Sequence, residues 1–91
     1  MFVIGGNKGT GKTRTLIERA KAEDGIIVCE DTVAMRERAY AYGITGLNLI
    51  SYDDLYECKV ESYDKPIYIH DINKFIKYNF HEVKGYTLNL D

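Results

Sequence analysis

Residues 6–13 read Gly6-Asn7-Lys8-Gly9-Thr10-Gly11-Lys12-Thr13. They satisfy the phosphate-loop pattern G-x-x-x-x-G-K-[ST] at every fixed position. Ordinary composition produces that pattern by chance at roughly a few in a thousand chains of this length, so the match carries weight. The apolar run Met1-Phe2-Val3-Ile4 predicts a short buried strand over 2–5. Helical spacing follows from residue 11 to about 23. Strand, glycine loop and helix in this order bring backbone N–H groups and the positive end of a helix dipole onto one anion. Gly6, Gly9 and Gly11 let the backbone approach closely and take left-handed dihedrals. Lys12 is the first cation of the helix and can reach the outer phosphates. Thr13 can offer a hydroxyl to Mg2+, which prefers oxygen ligands. With Asn7, Lys8 and Thr10 in the variable positions and Arg14 adjoining, residues 6–14 form the candidate nucleotide-binding set. The competing reading is a glycine-rich strand–helix turn with an incidental lysine.

Beyond the loop the pattern alternates. Ile26-Ile27-Val28-Cys29 is a continuous apolar run, as expected of a parallel strand covered on both faces. Asp31 or Thr32 can cap a helix over 32–42, with Ala34, Met35, Ala39 and Tyr42 as its apolar stripe and Arg36, Glu37 and Arg38 on its wet side. Gly43 ends it. A strand is predicted at 47–50, followed by a short helix capped by Ser51. A polar loop leads to Lys65-Pro66, then a strand at 67–70 and a helix at 72–80 that Asp71 can cap. The tail Tyr86-Thr87-Leu88-Asn89-Leu90 alternates like a last strand. Strands and helices alternate five times, which predicts an α/β fold: a mostly parallel sheet of about five strands with helices on both faces, in one domain over residues 1–91.

The second half of a phosphate-loop site is an acid at the end of a neighbouring apolar strand, which holds the metal directly or through water. Asp71, after Ile67-Tyr68-Ile69-His70, has that position and is the Walker B-like candidate, a role compatible with capping. Thr13 and Asp71 are therefore the candidate metal ligands. Hydrolysis also needs a group that orients water, and the glutamate that often follows the strand-end Asp is here Ile72. Glu30 and Asp31, at the end of the second strand, are the acids that could reach from elsewhere. Glu30 and Asp71 are the candidate catalytic residues. His70 is either a phosphate or substrate contact or a structural strand-end histidine. Arg14 adjoins the loop, whereas Arg36 and Arg38 read as solvated.

Composition narrows the classes. The chain has 91 residues and a net charge of −2, so nothing marks it globally as nucleic-acid binding. No apolar run has the length of a membrane span and no signal peptide is evident, so a cytoplasmic protein is expected. Cys29 and Cys58 share no metal or redox spacing and read as reduced thiols. Most of the eight tyrosines read as half-buried packing residues with surface hydroxyls, with base stacking by one of them as the alternative.

The ordered features resemble the first motor core of superfamily 1 helicases, a three-layer, RecA-like phosphate-loop fold. They are Ile4 to Thr13, then Ile27-Val28-Cys29-Glu30-Asp31-Thr32 with Met35-Arg36-Glu37-Arg38, Ile50-Ser51-Tyr52-Asp53-Asp54-Leu55, and the strand ending at Asp71. More closely, the chain looks like the very small ATP-binding or helicase-like phosphate-loop proteins of bacteriophages. It lacks a second motor core, an acidic pair at Asp71-Ile72 and the coupling arginine motifs. The resemblance implies nucleoside triphosphate binding (ATP) with Mg2+ and a weak or partner-dependent ATPase. It also implies a setting in phage DNA metabolism with a nucleic acid. A protein partner or a homo-oligomer is the further partner expected, and the oligomeric state, which the sequence leaves open, decides whether an arginine arrives in trans. The alternative is a non-hydrolysing accessory or anti-defence interaction protein on the same fold. A small-molecule kinase is a third reading, for which 91 residues leave little chain to build a lid and acceptor pocket. No base-specificity motif separates ATP from GTP.

Overall fold

The computed structural model describes residues 11–57, 65–80, 82–85 and 87. Within them the chain runs α1 (Lys12–Ala22), β1 (Ile26–Cys29), α2 (Thr32–Ala41), β2 (Asn48–Ser51), α3 (Tyr52–Glu57), β3 (Ile67–Ile69) and α4 (Ile72–Asn79). The strands form a parallel sheet in the order β2-β1-β3. Ile27 stands beside Leu49 on one side and Tyr68 on the other. This is an α/β architecture with a small three-stranded parallel sheet. The strand expected at 2–5 lies outside the described residues, as does the tail strand at 86–90 apart from Thr87, and so does Cys58.

Side-chain alternation along β1 explains how both faces of the sheet are covered. Ile27 and Cys29 point to one face, where they join Leu16, Ile17 and Ala20 of α1, Met35 and Ala39 of α2, and Leu47 in one buried cluster. Val28 points to the other face and is equally buried. That side carries α3, which packs against β2 and β1 and buries Tyr52. The rings of Phe75 and Tyr78 in α4 lie 5.3 and 5.7 Å from the Tyr52 ring. Helices thus flank the sheet on two sides.

The local signals act as read, with small shifts. The α2 stripe is narrower than expected: Met35, Ala39 and the half-buried Tyr42 follow the i, i+4, i+7 line, while Ala34, about 100° round the helix from Met35, is exposed. Asp31 accepts a hydrogen bond from the Ala34 N–H at 3.0 Å, and Ser51 accepts one from the Asp54 N–H at 3.0 Å. These contacts set where α2 and α3 begin. Gly43, at φ 78°, ends α2 in the left-handed region.

Gly25 is fixed by crowding. A Cβ there would stand 2.9 Å from the Tyr68 ring and 3.0 Å from the Pro66 carbonyl oxygen. That same oxygen accepts the Ile26 N–H at 2.8 Å, so it cannot retreat without loosening the β1–β3 ladder. Gly25→Ala is expected to cost about 1–3 kcal/mol as an overpacking change. Urea unfolding checks it, and a loss under about 0.5 kcal/mol, the range of neutral surface changes, would show that Tyr68 swings clear.

Candidate functional site

The carboxyl ends of the three parallel strands carry Glu30 and Asp31, Ser51, and His70 and Asp71. This is the end of an open α/β sheet where ligands bind. The first turn of α1 meets it there. The Thr13 hydroxyl lies 3.2 Å from His70 Nε2, in a half-buried contact between residues 57 apart in the chain. Gly11 precedes α1 at φ 77° with nothing near its Cβ position among the described residues, the left-handed geometry expected of a loop glycine. Its carbonyl oxygen accepts the Thr15 N–H and the Thr15 hydroxyl, both at 3.1 Å. Gly6, Asn7, Lys8, Gly9 and Thr10 lie outside the described residues. Of the nucleotide-binding set the structure therefore describes Gly11, Lys12, Thr13 and Arg14.

His70 is fixed by its backbone. Its N–H donates to the Val28 carbonyl at 2.9 Å, and its carbonyl accepts the Tyr52 hydroxyl at 2.6 Å. Burial holds the imidazole pKa below the ordinary histidine value; the Asp71 carboxylate opposes this, while the charges of Arg38 and Lys74 add to it. The tautomer of this ring decides whether Nε2 donates to Thr13 or accepts from it.

Asp71 is exposed and takes the left-handed conformation at φ 59°. Its side chain accepts the Lys74 N–H at 3.3 Å and caps α4. A non-glycine residue held in this region costs of order 1 kcal/mol, and such residues cluster at functional sites. Glu30 is exposed, with an oxygen 4.0 Å from Lys74 Nζ. Asp31 is engaged as the α2 cap. Arg14 turns along α1: it pairs with Glu18 at 2.7 Å and lies 5.1 Å over the Tyr42 ring.

Two groups were not legible as site components. Tyr52 departs from the pattern expected of most tyrosines: it is buried and turns its hydroxyl inward onto the β3–α4 junction. Its place directly after β2 was visible, but its partner was not. Arg38 is exposed, as expected, but also donates to the Tyr42 hydroxyl at 3.4 Å and is near enough to His70 to act on its charge. The i,i+4 spacing of Arg38 and Tyr42 was the available signal. Cys29 sits at the same end of the sheet, but burial lifts its thiol to about 11, which leaves it protonated and unreactive at neutral pH.

The remaining features are negative or remote. A shallow depression of about 470 Å³ runs along β2 past Ile26, Arg36, Asn48, Ile50 and Lys65, and neither Thr13 nor His70 lines it. Among the described residues, no three acidic, histidine or cysteine side chains converge to hold a metal on their own. No described helix is long and apolar enough to cross a membrane. No protein-family model, curated protein or solved structure matches the chain.

Proposed function

We propose that this chain is a minimal phosphate-loop protein that binds a nucleoside triphosphate, ATP, with Mg2+ at the carboxyl end of its sheet. The observation that carries this reading is the Thr13–His70 contact at 3.2 Å. It joins the last residue of the loop motif to the strand end that bears Asp71, two halves of a site that the sequence holds far apart. Lys12 would bind the outer phosphates and the N–H groups of residues 6–14 their oxygens. Glu30 is the acid that could orient water, and its lone position beside Lys74 fits weak or partner-dependent turnover. The link to DNA metabolism and to a nucleic-acid or protein partner rests on the resemblance alone.

Connection handedness supports the larger fold. α2 crosses from β1 to β2 on the Ile27 face, and α1 packs on that same face against β1 and β3. Right-handed crossovers then require that a strand feeding α1 come from the β3 side. The outer edge of β3 carries no ladder among the described residues.

The donor set suits the cation. Mg2+ with a nucleotide uses one or two protein oxygens and completes its octahedron with phosphates and water, so the absence of a three-acid cluster is no obstacle. Thr13 and Asp71 would hold it. When bound, it neutralises charge on the outer phosphates. The residues of this chain orient the phosphates and hold the Thr13 oxygen at the strand end.

Equilibrium binding of a fluorescent ATP analogue, titrated with Mg2+ and with EDTA, tests the reading. Saturable binding displaced by ATP is expected, and no binding under either condition overturns it. Asp71→Ala should lose affinity chiefly in Mg2+, alongside about 0.5–2 kcal/mol of stability from the lost cap. Equal loss with and without Mg2+ would limit Asp71 to capping. The interaction-module reading has one observation in its favour, the exposed Ile72, Tyr78, Phe80 and Val83 on and after α4.

A further inference from the structure

Resting on the nucleotide-binding reading, the geometry points to a second role at the site. We propose that His70 is a positioning residue: Nε2 accepts the hydrogen bond of the Thr13 hydroxyl and so turns the lone pairs of that oxygen toward Mg2+.

A threonine hydroxyl rotates freely, and its oxygen serves a cation well only if its proton points elsewhere. In this chain the group 3.2 Å from that oxygen is the His70 ring. Asp71, the expected partner from the same strand end, is instead bonded to the Lys74 N–H. The ring is aimed by main-chain bonds on both sides of its Cα, to Val28 and from Tyr52. A side-chain substitution at 70 leaves both of those bonds in place. The groups that act on the ring are Thr13 from α1, Arg38 from α2, and Asp71 and Lys74 at the start of α4, while Tyr52 of α3 meets only its backbone carbonyl. Groups that orient a metal ligand from behind alter metal affinity by about 10- to 100-fold when removed. A hydroxyl ligand shared with water and phosphates belongs at the low end of that range.

The test is analogue binding across a Mg2+ titration for the wild type, His70→Ala and His70→Gln. His70→Ala should raise the Mg2+ concentration needed for half-maximal binding about tenfold and leave binding in EDTA unchanged. His70→Gln, whose amide oxygen can accept the same proton, should recover most of the loss. In Thr13→Val, adding His70→Ala should change nothing further, since the two act through one contact. Without nucleotide, Thr13→Val should shift the ring nitrogen NMR signals of His70.

A lower Mg2+ requirement in His70→Ala would overturn the proposal and make the ring a competitor for the hydroxyl. Equal loss with and without Mg2+ would overturn it in favour of a phosphate contact or a structural role, and thermal melting of both variants separates those two. If the wild type binds with Mg2+ dependence and His70→Ala matches it, the positioning role falls while nucleotide binding stands. If the wild type binds nothing, both fall.

Discussion

Lys12→Ala is expected to lower affinity for the ATP analogue by about ten- to a hundredfold while leaving the protein folded. A charge-assisted hydrogen bond to an anion is worth about 1.5–3 kcal/mol, and each 1.4 kcal/mol is a factor of ten in binding. Lys12 is the first residue of α1, half-exposed, at the helix end whose dipole already favours an anion. Alanine is the best helix former, so the substitution should move unfolding free energy by no more than about 0.5 kcal/mol. The wild-type affinity should fall with salt and that of the variant less steeply, because one screened charge contact is gone. Fluorescence titration at two ionic strengths reads both effects. Equal affinity in wild type and variant would mean that the analogue binds elsewhere and that the glycine run is an ordinary strand–helix turn.

What the sequence disclosed and withheld follows from the range of the forces involved. Elements governed by neighbours within a turn were legible. Asp31, Ser51 and Asp71 each cap the helix that follows, because the cap reaches only three residues along the chain. The continuous apolar run Ile26–Cys29 proved to be the middle strand of the three, buried on both faces. Strand order was not legible, since it depends on which edges meet across loops of different length. The site was legible as two separate motifs. That His70 rather than Asp71 would meet Thr13 depends on the twist and register of β3 against β1, which no local pattern encodes. The inward turn of Tyr52 was not legible for a similar reason. A tyrosine usually keeps its hydroxyl wet, but here two carbonyls at a strand–helix junction supply an inward partner.

That inward hydroxyl sets up the second large effect. Tyr52 is 2% exposed, and its ring meets Phe75 edge-on at 5.3 Å. Its hydroxyl donates to the His70 carbonyl at 2.6 Å and lies 3.3 Å from that of Asp71. Removing the ring should cost about 3–5 kcal/mol, as for other large buried aromatics. A domain of this size holds about 5–14 kcal/mol in total, so Tyr52→Ala stands near the limit of folding. Tyr52→Phe is the sharper probe. It keeps the ring and leaves a half-buried carbonyl short of a donor, for about 1 kcal/mol by urea unfolding. Burial first, then the negative charge of Asp71, then Cys29 and Glu30, raise this phenol from its ordinary 10 to about 12. Between those values the unfolded chain releases the proton and the folded chain keeps it, so this group's contribution to stability falls as pH rises from 10 toward 12. Tyr52→Phe should flatten that part of the curve. The same variant should also weaken Mg2+-dependent nucleotide binding, because the hydroxyl holds the backbone from which His70 and Asp71 project. A variant that unfolds like the wild type at neutral pH and keeps the alkaline slope would mean that the Tyr52–His70 bond contributes nothing, and the site would need another anchor.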